Sequence, residues 1–123
     1  MARALVIDDD ESVRSVIRGI LETQDYKVVE ASDGESGLEI YRDKPSDVVI
    51  TDIIMMQKGG FEVIWDLRKE FPNVKIIAIS GGGTIDKKEV LESAKRKGAD
   101  FCLQKPFGAE ELLAAVKTIC AKQ

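Results

Sequence analysis

Five short apolar runs, each ending at a polar residue, recur along this chain at intervals of about 20 to 30 residues. β-Branched residues dominate several of them, which is typical of strands buried on both faces of a sheet. Strands separated by such long segments pair in parallel through crossover connections. The predicted strands are Ala4 to Ile7, Lys27 to Ala31, Asp47 to Asp52, Val74 to Ile79 and Phe101 to Gln104.

Between these runs the apolar residues follow a helical period instead. After the first run they recur at i, i+3, i+4, i+7 and i+8, and Asp9 or Asp10 can cap the helix that this spacing predicts. Its inward stripe is Val13, Val16, Ile17, Ile20 and Leu21. Four more helices are predicted to begin near Asp33, Phe61, Asp86 and Gly108.

Each of these later helices also has apolar residues that we expect to face inward. They are Leu38 and Tyr41 in the second helix, Ile64, Trp65 and Leu67 in the third, Val90, Leu91 and Ala94 in the fourth, and Leu112, Leu113, Val116, Ile119 and Cys120 in the last. Five strands alternating with five helices predict an α/β fold, with a parallel sheet covered on both faces by right-handed crossovers.

The chain length bounds the organisation and the location of the protein. At 123 residues we expect one domain over 1–123, and a net charge of -4 argues against direct nucleic-acid binding through a basic face. No apolar run approaches the roughly 18 residues needed to span a bilayer, so we expect no membrane insertion. The N-terminus resembles neither a signal peptide nor an anchor, which predicts a cytoplasmic protein.

The residue types present restrict the chemistry that the chain can perform. There is no histidine, so imidazole bases and histidine metal ligands are excluded. Cys102 and Cys120 lie in apolar contexts without the spacing of a metal or redox motif, and we expect no disulfide. Carboxylates, lysine and hydroxyls therefore carry whatever reaction occurs.

Polar side chains of complementary kinds follow four of the five predicted strands. In open α/β sheets the binding crevice lies at the carboxyl ends of the strands, so these side chains are expected to converge on one edge. They are Asp8, Asp9 and Asp10 after the first strand, Asp52 at the end of the third, Ser80 after the fourth and Lys105 after the fifth.

Carboxylates gathered in this way repel one another and call for a cation. At an effective dielectric near 20, each pair at about 4 Å costs roughly 4 kcal/mol. A site made only of oxygen ligands suits Mg²⁺, which keeps several waters and uses phosphate oxygens as further ligands. With Lys105 and Ser80 to bind a phosphoryl group, Asp52 could then attack phosphorus and form an acyl phosphate.

The whole chain resembles the response regulator receiver domains of bacterial two-component signalling. The motifs that carry the resemblance are Leu5-Val6-Ile7-Asp8-Asp9-Asp10, Val49-Ile50-Thr51-Asp52, Ile77-Ala78-Ile79-Ser80-Gly81, Gly98-Ala99-Asp100 and Lys105-Pro106-Phe107. The resemblance implies a flavodoxin-like (βα)5 doubly wound sheet of five parallel strands in the order 2-1-3-4-5. It also implies that the chain is a signalling switch, not an enzyme, although it catalyses its own phosphorylation and slow dephosphorylation.

The resemblance further assigns roles to individual residues. Asp52 is the phospho-acceptor, which takes a phosphoryl group from the phosphohistidine of a sensor histidine kinase or phosphotransfer protein, and Ser80 and Lys105 contact that group. Asp9 binds Mg²⁺ directly, Asp8 mostly through water, and Asp52 is both ligand and nucleophile. Ile54 offers its backbone carbonyl to the metal. Asp10 is then the helix cap, and the Lys105-Pro106 bond is expected to be cis.

The chain departs from the usual receiver pattern at a few positions. Met56 stands where the family usually has proline, and Cys102 where it generally has the aromatic residue that moves with the switch hydroxyl. Phe101 cannot replace that aromatic, because neighbouring strand residues point to opposite faces. Ile54 and Gly82 face the path of attacking water in the family and cannot activate it, which predicts slow autodephosphorylation.

Two other functions fit parts of the sequence. Asp8 and Asp10 form a loose D-x-D, so the chain also resembles the haloacid dehalogenase-like phosphohydrolases, with Asp8 as nucleophile and Asp10 as acid-base. Against this assignment, Ser12 stands two residues after Asp10, where that family has threonine or valine. The other alternative is a receiver-like binding module that signals without phosphate.

The sequence leaves the partners of the chain unspecified. Since no further segment follows Gln123, we expect a stand-alone receiver that acts on a downstream protein target through protein contact. It could be a monomer or a phosphorylation-linked dimer. The kinase, the target and the stimulus are not specified by any motif.

Overall fold

The computed structural model describes residues 2–53, 60–80 and 98–121, together with residues 92 and 96. Five strands and four helices alternate within these ranges. They are β1 (Arg3–Ile7), α1 (Glu11–Glu22), β2 (Lys27–Ala31), α2 (Gly34–Asp43), β3 (Val48–Asp52), α3 (Gly60–Glu70), β4 (Ile76–Ser80), β5 (Phe101–Gln104) and α4 (Ala109–Ala121). The helix expected after Asp86 lies almost wholly outside the described residues, but residues 92 and 96 are helical.

All neighbouring strands pair in parallel, in the order β2-β1-β3-β4-β5. Every residue of β3 and β4 is buried, whereas the edge strands β2 and β5 are only partly buried. This difference agrees with the sequence, because the unbroken apolar runs that begin β3 and β4 suit strands buried on both faces. The flavodoxin-like strand order expected from the resemblance is confirmed.

Helices cover both faces of the sheet, so the core has two layers. On one face α2 and α3 pack on the sheet through Leu38, Tyr41, Val63, Ile64 and Leu67. On the other face α1 and α4 pack on it through Ile17, Leu21, Leu112, Ala115, Val116 and Ile119. From β1 the chain winds to β2 on one side and then to β3, β4 and β5 on the other, which is the doubly wound arrangement.

Side-chain caps begin two of the helices at the positions that the sequence indicates. The Asp10 carboxylate accepts a hydrogen bond from the Ser12 backbone amide at the start of α1. The Asp33 carboxylate accepts one from the Ser36 amide at the start of α2. These caps satisfy backbone donors that the first helical turn leaves unpaired, and they fix where each helix begins.

Two residues expected to face the core are exposed instead. Val16 is 61% exposed and Trp65 is 49% exposed. The sheet covers only the arc of α1 that holds Ile17 and Leu21, and Val16 lies to one side of that arc. Trp65 follows the buried Ile64 by one residue, about 100° further around α3, so its ring lies at the surface near Lys69.

The start of β4 also differs from the sequence expectation. Val74 is buried, but the strand begins at Ile76, where pairing with Val49 of β3 starts. The apolar run therefore predicted correctly that this segment is buried, but it did not predict the residue at which strand pairing begins.

Alternation along β5 separates Phe101 from Cys102. Phe101 packs against the core layer of α1 and α4, and Cys102 against the layer of α2 and α3, as the sequence predicts. Cys102 and Cys120 form no disulfide. None of the helices in the described ranges is long and apolar enough to cross a membrane.

Candidate functional site

The carboxyl ends of four strands bring together the polar residues that follow or end them. Asp8 follows β1, Asp52 and Ser80 end β3 and β4, and Lys105 follows β5. The Lys105 amide donates to the Ser80 carbonyl at 2.8 Å, which carries the ladder one residue past β5. Asp8, Asp52 and Ser80 are 1%, 6% and 2% exposed, so this edge of the sheet buries three polar residues together.

Lys105 bridges the two buried carboxylates. Its Nζ lies 2.9 Å from Asp52 Oδ2 and 3.6 Å from Asp8 Oδ2. Burial disfavours the charged ammonium, but the hydrogen bond to Asp52 and the negative charges of Asp52 and Asp8 outweigh it, so the pKa of Lys105 lies above its ordinary value. The lysine is therefore a fixed positive charge in this cluster. The Lys105-Pro106 peptide bond is cis, as expected from the resemblance.

Asp8 is the residue whose carboxylate is least well satisfied. Its Oδ1 accepts a hydrogen bond from the Asp10 amide at 2.9 Å, but its Oδ2 is buried without a hydrogen-bond partner. Burial, together with the nearby charge of Asp52, raises the pKa of Asp8 to about 6, although the Asp10 amide and Lys105 oppose the shift. Among the described residues of this cluster, two carboxylates therefore share one ammonium, so negative charge exceeds positive charge.

This imbalance fits a divalent cation with oxygen ligands. The Oδ2 of Asp8, which lies beside Asp52 and lacks a hydrogen bond, is a hard anionic donor of the kind that Mg²⁺ prefers. Asp9 is exposed next to it. Within the described part of the chain no three acidic, histidine or cysteine side chains are grouped closely enough to form a metal site alone. Ile54, whose carbonyl the resemblance adds to the ligands, lies outside the described residues.

Asp10 serves the helix and not the buried cluster. Its carboxylate accepts hydrogen bonds from the Ser12 amide at 2.9 Å and the Ser12 hydroxyl at 2.6 Å. These bonds to Ser12 hold the pKa of Asp10 below its usual value. A general acid needs a raised pKa, so the environment of Asp10 does not suit the acid-base role that a phosphohydrolase would require of it.

Sequence reasoning missed a pair of residues that hold the loop of Asp8. Arg14 of α1 donates from Nη1 to the Asp8 carbonyl at 2.6 Å and from Nε to Glu30 of β2 at 3.0 Å. Arg14 lies four residues after the cap, and Glu30 is the one acid in the edge strand β2. That unusual acid was the available signal, but only the packing of α1 on β2 pairs it with Arg14.

An apolar groove of about 340 Å³ lies directly beside the cluster. Its walls come from α1 and from the segment after β5, and the exposed Val16 belongs to it. The lining residues are Ser12, Val13, Val16, Ile17, Lys105, Pro106 and Phe107. Lys105 thus contacts both the groove and the buried carboxylates.

The positions that depart from the receiver pattern are only partly described. Ile54, Met56 and Gly82 lie outside the described residues. Cys102 is half-buried on β5, one strand away from Ser80 of β4, and its partner in the ladder is Ala78.

Comparison with known proteins identifies relatives over nearly the whole chain. A family model described as the response regulator receiver domain matches residues 4–117. The chain is 36% identical over 118 residues to the probable transcriptional regulator ycf27 of Guillardia theta, covering 95% of this chain and 44% of that protein. It is 32% identical over 119 residues to the transcriptional regulatory protein CpxR of Escherichia coli (strain K12), covering 97% and 49%. The chain thus spans about half the length of these curated relatives or less.

Solved structures have the same fold. The receiver domain of NtrX from Brucella abortus superposes with a TM-score of 0.91 at 28% identity, covering 98% of this chain and 99% of that chain. A response regulator receiver domain protein from Clostridium thermocellum superposes with a TM-score of 0.90 at 30% identity, covering 99% and 96%.

Proposed function

Because this chain belongs to the response regulator receiver domains of two-component systems, we propose that Asp52 accepts a phosphoryl group from the phosphohistidine of a histidine kinase or phosphotransfer protein. The observation that carries the proposal is the contact of Lys105 Nζ with Asp52 Oδ2 at 2.9 Å, beside a second buried carboxylate. A reactive carboxylate, a fixed ammonium and an excess of negative charge then lie within one pocket.

In the proposed reaction an oxygen of Asp52 attacks phosphorus. The new O–P bond forms as the N–P bond of the donor breaks, and the electron pair of that bond returns to the imidazole nitrogen. Lys105, already fixed beside Asp52, offsets charge on the transferring oxygens, and Ser80 donates a hydrogen bond to one of them. A Mg²⁺ ion bound by Asp8, Asp9, Asp52 and the Ile54 carbonyl would neutralise the carboxylates and the phosphoryl oxygens.

We also propose that the apolar groove beside Lys105 receives part of the phosphodonor protein. Val16 is 61% exposed there, and apolar side chains dominate the walls. An exposed apolar surface next to a buried reactive group suits a partner that must cover the pocket while it transfers phosphate. The domain over 1–123 then signals to a downstream protein by contact, as a monomer or a phosphorylation-linked dimer, and acts as a switch instead of an enzyme.

The test is to identify the aspartate that becomes phosphorylated. The chain is incubated with acetyl phosphate and Mg²⁺, and the acyl phosphate is located by reduction with borohydride and mass spectrometry. We expect label on Asp52 and its loss in Asp52→Asn. Asp10→Asn is the matched control, because asparagine caps a helix as well as aspartate does, and it should keep the label. Label on Asp8 that survives Asp52→Asn would instead favour a phosphohydrolase-like nucleophile.

The lifetime of the acyl phosphate is a further expectation. Ile54 and Gly82 offer no side chain that orients or activates water, so the isolated, Mg²⁺-saturated protein should lose its phosphoryl group slowly. A lifetime of seconds contradicts this.

If beryllofluoride with Mg²⁺ changes neither the amide spectrum nor the affinity for a partner, the chain is a binding module that works without phosphate.

A further inference from the structure

Arg14 of α1 fixes the peptide group of Asp8 by a hydrogen bond to its carbonyl. Its Nη1 donates to the Asp8 carbonyl at 2.6 Å, and its side chain is only 14% exposed. On the same residue, the Asp8 amide donates to the Ala31 carbonyl of β2 at 3.1 Å. Both backbone polar groups of Asp8 are therefore bound to the edge of the fold formed by α1 and β2.

Glu30 holds Arg14 in the orientation that this contact needs. One carboxylate oxygen of Glu30 accepts from Arg14 Nε at 3.0 Å, and the other pairs with Nη1 of Arg18. Arg18 in turn donates from Nη2 to the Val28 carbonyl at 2.9 Å. Because Glu30 lies between two arginines that are both bound to backbone, its carboxylate and the guanidinium of Arg14 have little freedom to turn.

With its peptide group fixed in this way, Asp8 has one polar atom left without a hydrogen bond. The Asp10 amide occupies Oδ1, and Oδ2 is the buried oxygen that lies 3.6 Å from Lys105. We propose that Arg14, oriented by Glu30, is a positioning residue that holds the Oδ2 of Asp8 toward the cation pocket, and this inference rests on the proposed Mg²⁺-dependent function.

A matched control exists at the opposite edge of the sheet. Arg68 of α3 also bridges a backbone carbonyl and a carboxylate, with Nη2 at 2.7 Å from the Gly98 carbonyl and 2.8 Å from Asp100 Oδ2. Its side chain is 28% exposed. Arg68→Met therefore removes the same chemistry and some stability without contact to Asp8.

The experiment compares Mg²⁺ affinity across variants of the full chain, measured from amide chemical shifts during a Mg²⁺ titration. Arg14→Met should weaken Mg²⁺ binding by about tenfold, the lower end of what loss of an outer hydrogen bond to a ligand costs. Arg14→Lys keeps the charge but not the two-pronged geometry, so it should also weaken binding. Glu30→Gln should weaken it less, because glutamine keeps one oxygen that can accept the hydrogen bond from Arg14 Nε.

A second readout needs no metal. The Asp10 amide proton is hydrogen-bonded to Asp8 Oδ1, so its resonance in Mg²⁺-free buffer reports the position of that carboxylate. It should move in Arg14→Met and remain in place in Arg68→Met.

Equal Mg²⁺ affinity in the wild type and Arg14→Met, or an equal loss in Arg68→Met, would overturn the inference. If the wild type binds no Mg²⁺ the proposed function fails, while an unmoved Asp10 resonance refutes the positioning role by itself.

Discussion

Two charged clusters lie at opposite ends of the strands of the sheet, and they differ in how their charges are paired. The acid cluster of Asp8, Asp52 and Lys105 lies at the carboxyl ends of the strands, and the Arg68 cluster lies near the amino ends of β4 and β5. In the Arg68 cluster the guanidinium donates to the carbonyls of Pro72 and Gly98 and to the Asp100 carboxylate. That carboxylate also accepts from the Ile76 amide at 2.8 Å.

The difference between the clusters lies in charge balance. Among the residues that the structure describes, one arginine faces one carboxylate in the Arg68 cluster, whereas two buried carboxylates share one ammonium in the acid cluster, and Asp8 Oδ2 lacks a hydrogen bond. Buried charges stabilise a fold only when they are paired and hydrogen-bonded. The Arg68 cluster therefore stabilises the protein, and the acid cluster costs stability that a bound cation can recover.

The comparison can be tested most strongly by removing Arg68. Arg68→Met leaves the Asp100 carboxylate without its cation and two carbonyls without their donor, so it should lower the free energy of unfolding by about 3 kcal/mol. Urea denaturation measures the change. The control is Arg42→Met, which breaks an exposed bidentate pair with Glu70 and should cost much less, because water screens an exposed ion pair. Equal losses in the two variants would mean that the Arg68 cluster is an ordinary surface pair.

Neutralising Asp8 should raise the free energy of unfolding, whereas removing Arg68 should lower it. The pKa of Asp8 rises from 3.8 to about 6 in the fold, mainly through burial, so the native state favours the protonated form and wild-type stability falls as pH rises through this window. A pKa shift of two units corresponds to about 3 kcal/mol of stability. Because Asp8 titrates together with Asp52 and Lys105, substituting Asp8 alone should recover less stability than this. Asp8→Asn should therefore stabilise the protein by about 2 kcal/mol at pH 7.5 without Mg²⁺.

The pH dependence separates this effect from a general gain in packing. Below pH 3.8, Asp8 is mostly protonated in both the folded and unfolded states, so Asp8→Asn should melt close to the temperature of the wild type there. Thermal melts from pH 3.5 to 8 in chelator measure this. A gain that is constant across the range would show that charge on Asp8 is not its cause.

Gly98 allows a smaller test of the Arg68 cluster. Its φ is +121°, and a Cβ added there would lie 3.0 Å from Arg68 Cγ. Gly98→Ala should therefore cost about 1 to 2 kcal/mol, through backbone strain and displacement of the Arg68 side chain. Gly19→Ala is the control, since nothing lies within 4 Å of its Cβ inside α1, and it should stabilise the protein by roughly 0.5 to 1 kcal/mol. If neither substitution changed the free energy of unfolding, that result would contradict the close packing at Gly98.

Much of the fold was readable from local sequence patterns. The caps at Asp10 and Asp33 and the strands β2 and β5 lie where the sequence indicates, because turn chemistry and short-range sterics set them. Burial of β3 and β4 followed from their unbroken apolar runs. The convergence of Asp8, Asp52 and Lys105 followed from the rule that parallel strands end at one edge.

The sequence by itself thus determined which residues reach the site and which kind of fold brings them there. Only the tertiary structure decided that Val16 and Trp65 are exposed, that Arg14 pairs with Glu30 across 16 residues, and that one buried oxygen of Asp8 lacks a hydrogen bond. Periodicity places a residue on one side of its own helix, but it does not say how wide an arc the sheet covers. Contacts between distant segments, and the charge balance that they produce, depend on the packing of the whole chain.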